Sequence, residues 1–226
     1  MKIATVAAPV LGAAAMLLAA SITAHAESAC TDLGGAVDDG VCVSHTVTPR
    51  YTLDIDFPVD YPDQHAVTEF VDGTRSDWNH AADTYPAREF PYLLAISGTG
   101  YHSGPAQTGT RSLVFALNSD FGAHPVTSFH ALNYDLAKGA PITLTSLFKP
   151  GTDPARVLAP IIKRDLDKRG LGTDASVDDL QAQDFEQFAI SDDALTFFFA
   201  QGLVGPQVAG PQRITVPRSE LAPALA

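Results

Sequence analysis

Basic residues are scarce: 14 Lys and Arg stand against 26 Asp and Glu, a net charge of −12. Such a surface repels phosphates and anionic headgroups, which argues against nucleic-acid binding. Cysteine is scarcer still, with only Cys30 and Cys42. Two thiols cannot complete a structural zinc site, which takes four ligands. His45, His65 and His80 lack ligand spacing, and neither His-x-His nor His-Glu-x-x-His occurs. No metal and no cofactor are expected. The Gly-x-Ser-x-Gly elbow of α/β-hydrolases is also missing. Its nearest approach, Gly100-Tyr101-His102-Ser103-Gly104, carries the serine one position late. Internal repeats and domain-scale linkers are absent, as is any membrane-spanning apolar run beyond the N-terminal segment.

That N-terminal segment is the first positive signal. Lys2 is its only charged residue, Ile3 to Ile22 is rich in Ala, Val, Leu and Met, and Ala24-His25-Ala26 offers small residues to a signal peptidase. Residues 1–26 therefore read as a secretory signal peptide, leaving one extracellular domain over residues 27–226. A hydrophobic content of 46% is enough for a real core. In an oxidising compartment the lone close pair Cys30 and Cys42 is expected to form a disulfide. Gly34-Gly35 and Asp38-Asp39-Gly40 lie between them, which suggests a disulfide-closed hairpin. Closing so short a loop stabilises by about 3 kcal/mol at most.

Along the chain, Tyr51, Leu53, Ile55 and Phe57 alternate with Thr52, Asp54 and Asp56, a half-buried strand. A helix follows from Tyr61-Pro62-Asp63-Gln64, with Pro62 read into its first turn. Its apolar stripe comprises Val67, Phe70, Val71, Thr74, Trp78 and Ala81, and it ends before Pro86. Strands are expected at 91–101, 111–117, 126–136 and 141–144, joined as a meander without crossovers. A second helix opens at Asp153-Pro154, buries Val157, Leu158, Ile161, Ile162 and Leu166, and stops at Gly170. Residues 172–183 read as a polar loop with a short helix. A hairpin then turns at Ser191-Asp192-Asp193, the run Leu195 to Ala200 reads as a central strand, and 214–216 as a last one. The fold class is α+β: a mainly antiparallel sheet packed by two principal helices.

Several segments carry a family resemblance. They are Tyr61-Pro62-Asp63-Gln64, Ala87-Arg88-Glu89-Phe90-Pro91-Tyr92, Gly122-Ala123-His124-Pro125, Asn133-Tyr134-Asp135-Leu136, Pro141-Ile142-Thr143-Leu144, Thr196-Phe197-Phe198-Phe199 and Val216-Pro217-Arg218-Ser219. Together they resemble the mycobacterial secreted immunogenic proteins, a family whose C-terminal part is an RsiV-type domain, here 105–226. That domain is also the lysozyme-sensing ectodomain of some anti-sigma factors. The segment 57–64 is most similar to an envelope member described as an esterase. The resemblance implies export, an α+β fold and life at an actinobacterial envelope, with the cell wall as an expected place of association. The chain departs from the pattern at Phe121, where the family often has glycine.

For chemistry, a Ser-His-Asp site is defined by geometry rather than by spacing. Ser103 or Ser112 is a candidate nucleophile, His124 or His102 a candidate base, and Asp135 or Asp120 a candidate orienting group. His124 ranks first among the histidines because Gly122 and Pro125 hold it in a turn; His130, between Phe129 and Ala131, reads as packing. Asp54/Asp56 and Asp192/Asp193 read as solvated strand face and turn. The loop from Gly202 to Pro211 reads as a lip beside the phenylalanine strand. The leading expectation is an envelope protein hydrolysing short-chain esters with His124, Ser103 and Asp135. The alternative is a non-catalytic module contacting a basic extracellular protein such as lysozyme, or a secreted antigen of undefined role.

Overall fold

A computed structural model describes residues 29–122, 124–171 and 177–226; the expected signal peptide lies outside them. Its first half comprises β1 (Ala36–Asp38), β2 (Val41–Val47), β3 (Tyr51–Pro58), α1 (Gln64–Thr84), β4 (Tyr92–Ser103), β5 (Thr110–Asp120), β6 (Val126–Asp135) and β7 (Ala140–Pro141). These seven strands form one sheet in the order β1-β2-β3-β4-β5-β6-β7. Then come α2 (Leu144–Leu147), α3 (Pro154–Lys168), β8 (Phe188–Ile190), β9 (Ala194–Phe199), β10 (Gln212–Pro217) and α4 (Arg218–Leu221). The last three strands make a separate sheet with β9 in the middle.

Strand alternation sorts the side chains into layers. Leu113 and Phe115 of β5 join Leu53, Ile55, Phe57, Leu94 and Ile96 under α1, which contributes Val67, Val71, Trp78 and Ala82. Val114, between them, faces the other way and, with Phe129 of β6, meets Ala189 and Phe198 of the small sheet. Phe197 and Phe199 then point outward again to Leu158, Ile162 and Leu166 of α3. The order is α1, large sheet, small sheet, α3. This is the expected α+β class, and β9 is the expected central strand buried on both faces.

Four sequence expectations need correction. First, β3 and β4 pair in parallel, with α1 as the crossover between them, so the sheet is not a pure meander. The alternation in β3 hid this because the small sheet covers only the β4–β6 end of the large one. Thr52, Asp54 and Asp56 therefore stay outside, and polar residues remain on one face of a strand in a parallel pair. Second, Asp63 is the cap of α1, its side chain accepting from the Ala66 N–H at 3.0 Å, so Pro62 precedes the helix. Third, the strand expected at 141–144 shrinks to β7, because Thr143 caps α2 and redirects the chain. Fourth, the segment 172–183, of which 172–176 lie outside the described residues, holds the expected short helical turn at Val177–Asp179 but is not simply polar. Val177 and Leu180 are buried, as is Phe185 just beyond, whose ring sits edge-on to both Phe197 and Phe199. With so few apolar residues among polar ones, they escaped a pattern search.

The disulfide joins Cys30, on the short helical turn before β1, to Cys42 on β2, with Cα atoms 5.6 Å apart. Gly35 passes beside it, where a Cβ would lie 2.7 Å from the Val43 carbonyl and 3.0 Å from the Cys30 Sγ. At the far end of α1 no basic residue occupies the last turn. Arg50, from the β2–β3 turn, donates instead to the carbonyls of Ala82 and Tyr85, both at 2.7 Å.

His130 packs as expected, its ring stacked on Phe70 at 3.8 Å and 8°. Burial lowers its pKa below the ordinary histidine value. The unfolded chain then takes up the proton first, so His130 costs stability as pH falls below about 6.5. His130→Phe should flatten the pH dependence of the urea midpoint in that range. Asp135 and Asp192, whose pKa values are lowered, act only at more acidic pH, below the ordinary carboxylate value. An unchanged slope between pH 6.5 and 5 would show that the ring is solvated.

Candidate functional site

Exposed strand edges are liabilities, and three edges in this fold are treated differently. The free edge of β8 is finished by side chains of the large sheet. The Ser112 hydroxyl accepts from the Ile190 N–H at 3.0 Å, and the Asn133 amide donates to the Phe188 carbonyl at 2.9 Å. The outer edge of β6 is covered by Gln187 and Gln201, whose side-chain oxygens accept from the N–H groups of Ala131 (2.7 Å) and Thr127 (3.3 Å). The third edge is open. β4 runs to Ser103, but its register with β3 ends at Asp56 opposite Ser97.

Past that point the chain after β3 swings away into α1 and leaves a groove of about 600 Å³. Pro58, Asp60 and Tyr61 form one wall, and Gly100 to His102 with Gly104 form the other, with Arg111, Ser112 and Leu113 also lining it. His102 and Arg111 are direct cross-strand partners, so they share one face. Tyr61 is buried edge-on to Tyr134. Burial, then the charge of Asp63, raises its pKa well above the ordinary phenol value, which keeps its hydroxyl protonated. Gly98 lets β4 lie close to β3, because a Cβ there would fall 2.6 Å from the Phe57 Cβ.

The structure does not bring Ser103, His124 and Asp135 together. Ser103 and Asp135 both flank Thr110, on β4 and β6. His124 is exposed in the β5–β6 turn, at the opposite end of an 11-residue strand, roughly 30 Å away. Asp135 is engaged with its own turn, accepting from the N–H groups of Ala137 and Lys138, each at 3.0 Å, and lying 3.2 Å from the Lys138 ammonium. Those bonds hold its carboxyl below the usual range. Asp120 accepts from the Gly122 N–H and also belongs to the far end. The expected lip is at the far end as well, since the Gln201 N–H donates to the Thr127 carbonyl there.

Ser103 is buried on the face opposite His102. Its hydroxyl accepts from Arg218 Nη1 at 3.3 Å and lies beside Asp192. Asp192 is no idle turn residue, because it also accepts from the Gly104 N–H at 2.7 Å. That bond, then the Ser103 hydroxyl, then the charges of His102 and Arg218, pull its carboxyl below the usual value. Sequence reasoning missed Asp192, Arg218, Arg111 and Tyr61 as neighbours of this region. For Arg218 and Tyr61 the available signal was membership of the family segments. Among the described residues no group of three His, Cys, Asp or Glu is placed to hold a metal ion.

Over 92% of this chain and 94% of its own, the protein named Esterase Rv3036c from Mycobacterium tuberculosis is 39% identical. The immunogenic proteins MPB64 of Mycobacterium bovis and MPT64 of M. tuberculosis are each 32% identical, over 88% of this chain and 89% of theirs. The chain belongs to this mycobacterial esterase and immunogenic-protein family. Residues 145–219 match the family described as a protein of unknown function, DUF3298. That stretch holds most of α2, all of α3, the whole small sheet and Arg218, so in this chain the DUF3298 match is the layer laid over β4–β6. A DUF3298 protein from Pseudomonas aeruginosa shares the fold at a TM-score of 0.58 and 15% identity, over 81% of this chain and 92% of its own.

Proposed function

We propose that the protein is exported and hydrolyses short-chain carboxylic esters in the groove beside β4, with His102 rather than His124 as the base. The observation that carries this is the convergence of His102, Arg111 and the Tyr61 side in one open groove. The 39% identical relative named an esterase supports the reaction class. In this reading the nucleophile is water. The neutral imidazole accepts its proton as the oxygen attacks the ester carbonyl, and the tetrahedral oxyanion is met by the Arg111 guanidinium and the Tyr61 hydroxyl. The alkoxide leaves with the proton held by His102. Neither nearby serine suits the nucleophile's role: Ser112 is committed to Ile190, and Ser103 lies between Arg218 and Asp192.

Purified protein should hydrolyse p-nitrophenyl butyrate slowly. His102→Ala should lower kcat/KM roughly 100-fold, and His124→Ala should leave it unchanged. A fluorophosphonate probe should label no serine. Labelling at Ser103 would return the nucleophile to that residue, and absence of hydrolysis would remove the reading. Protein from culture medium should begin at Glu27 by intact mass.

The engaged serines also favour a second reading, a non-catalytic module. Its net charge of −12 suits a basic extracellular partner such as lysozyme, with affinity falling as salt rises.

A further inference from the structure

The open edge of β4 has a composition of its own. In an antiparallel ladder, both backbone groups of a residue point to the same side, and the side alternates along the strand. The Asn133 carbonyl receives the Ile142 N–H on the outer side of β6, so Tyr134 faces β5. Carried through the registers Arg111↔Tyr134 and Tyr101↔Ser112, this turns Tyr101 and Ser103 of β4 toward β5 and turns Gly98, Gly100 and His102 outward. The Tyr92 N–H, donating outward to the Arg50 carbonyl, has the same parity. β3 would have served this edge next through residue 58, but Pro58 has no N–H to give. Parallel pairing therefore stops, and the outward carbonyls of Gly98 and Gly100 and both backbone groups of His102 face the groove. Among the described residues the chain beyond Pro58 gives them no hydrogen bond, since the Val59 N–H turns away to the Gly40 carbonyl. Gly100 and His102 are exposed, in contrast to the finished edges of β8 and β6.

The groove also holds a cation without a carboxylate partner. Arg111 donates only to the Thr110 carbonyl, at 3.3 Å, and no carboxylate among the described residues pairs with it. Its cross-strand neighbour is His102, a second basic group.

We propose that this edge receives an extended peptide segment of a partner protein, added as a strand beside Gly98–His102 where β3 leaves off, with an acidic side chain meeting Arg111. Strand addition supplies main-chain hydrogen bonds, and the adjacent groove reads alternate side chains. The proposal goes beyond ester hydrolysis and is read by binding, so either can fail without the other.

The probe is a display library of random nine-residue peptides, selected on the wild-type protein. Selected peptides should carry Asp or Glu at one fixed position. Arg111→Met should weaken them about 10-fold, through loss of a charge-assisted pair. His102→Pro deletes an outward N–H that the fold does not use, on an exposed residue, and His102→Ala, which keeps that N–H, is its control. The proline variant should keep its melting temperature and lose at least about 10-fold in affinity for the same peptides, since it removes a main-chain bond and sets a ring on the edge. Thr99→Pro, whose N–H serves β5, should instead lower the melting temperature. In the wild-type protein, peptide should slow hydrogen exchange at the His102 amide. Failure to select any peptide, equal affinity for His102→Pro and His102→Ala, or an unprotected His102 amide would overturn the proposal.

Discussion

Trp78→Ala should cost about 3–5 kcal/mol, which rivals the whole stability of a marginal domain. Trp78 is the only tryptophan and is 6% exposed. It lies on the buried stripe of α1, edge-on to Tyr51 at 5.3 Å and tilted against Phe121 at 5.6 Å. Phe121 also contacts Tyr85 at 5.0 Å and Tyr92 at 5.5 Å, so one aromatic cluster joins the C-terminal half of α1 to the far end of β4 and β5. This gives the departure from the family's glycine at Phe121 a physical role as a packing residue. Urea titration followed by circular dichroism measures the loss. Wild-type fluorescence should be blue-shifted, and emission typical of solvated indole would place the helix face wrongly.

The second large effect should come from the seam between the two sheets. The Ile190 N–H and the Phe188 carbonyl are backbone groups, so truncating a side chain cannot remove their need for partners. Ser112 and Asn133, 2% and 4% exposed, supply those partners. Each truncation to alanine leaves one buried backbone group unpaired, at about 1–3 kcal/mol. Ser112→Ala with Asn133→Ala should therefore cost about 2–6 kcal/mol. Hydrogen exchange should accelerate first at the Ile190 amide, before the β4–β5 ladder opens. Losses below 0.5 kcal/mol for the pair would mean that water already serves this edge.

Much of the fold was legible because its signals are local. The 2-residue period of β3, the 3.6-residue stripes of α1 and α3, the glycine after α3 and the lone cysteine pair each depend on neighbours within a few residues. Burial of Phe197, Phe198 and Phe199 followed from the length of the apolar run. The parallel β3–β4 pair was not legible, because a strand carries no mark of its partner's direction. Nor was the small sheet's position legible, since Val114 and Phe198 meet across more than 80 residues of chain.

The site divides along the same line. From the sequence alone came the acidic charge, the absence of a nucleophile elbow, the cysteine pair and a short set of serines, histidines and aspartates. Each follows from residue identity or close spacing. Tertiary structure alone decided which of them meet. It sent His124 to the opposite end of the β5–β6 hairpin, tied Asp135 to its own turn and set Ser103 against Arg218 and Asp192. It also placed His102 beside Arg111. The reason is register: a side chain's face and height in a sheet are fixed by strand pairing, and the pairing is fixed by contacts too distant in sequence for any local pattern to record.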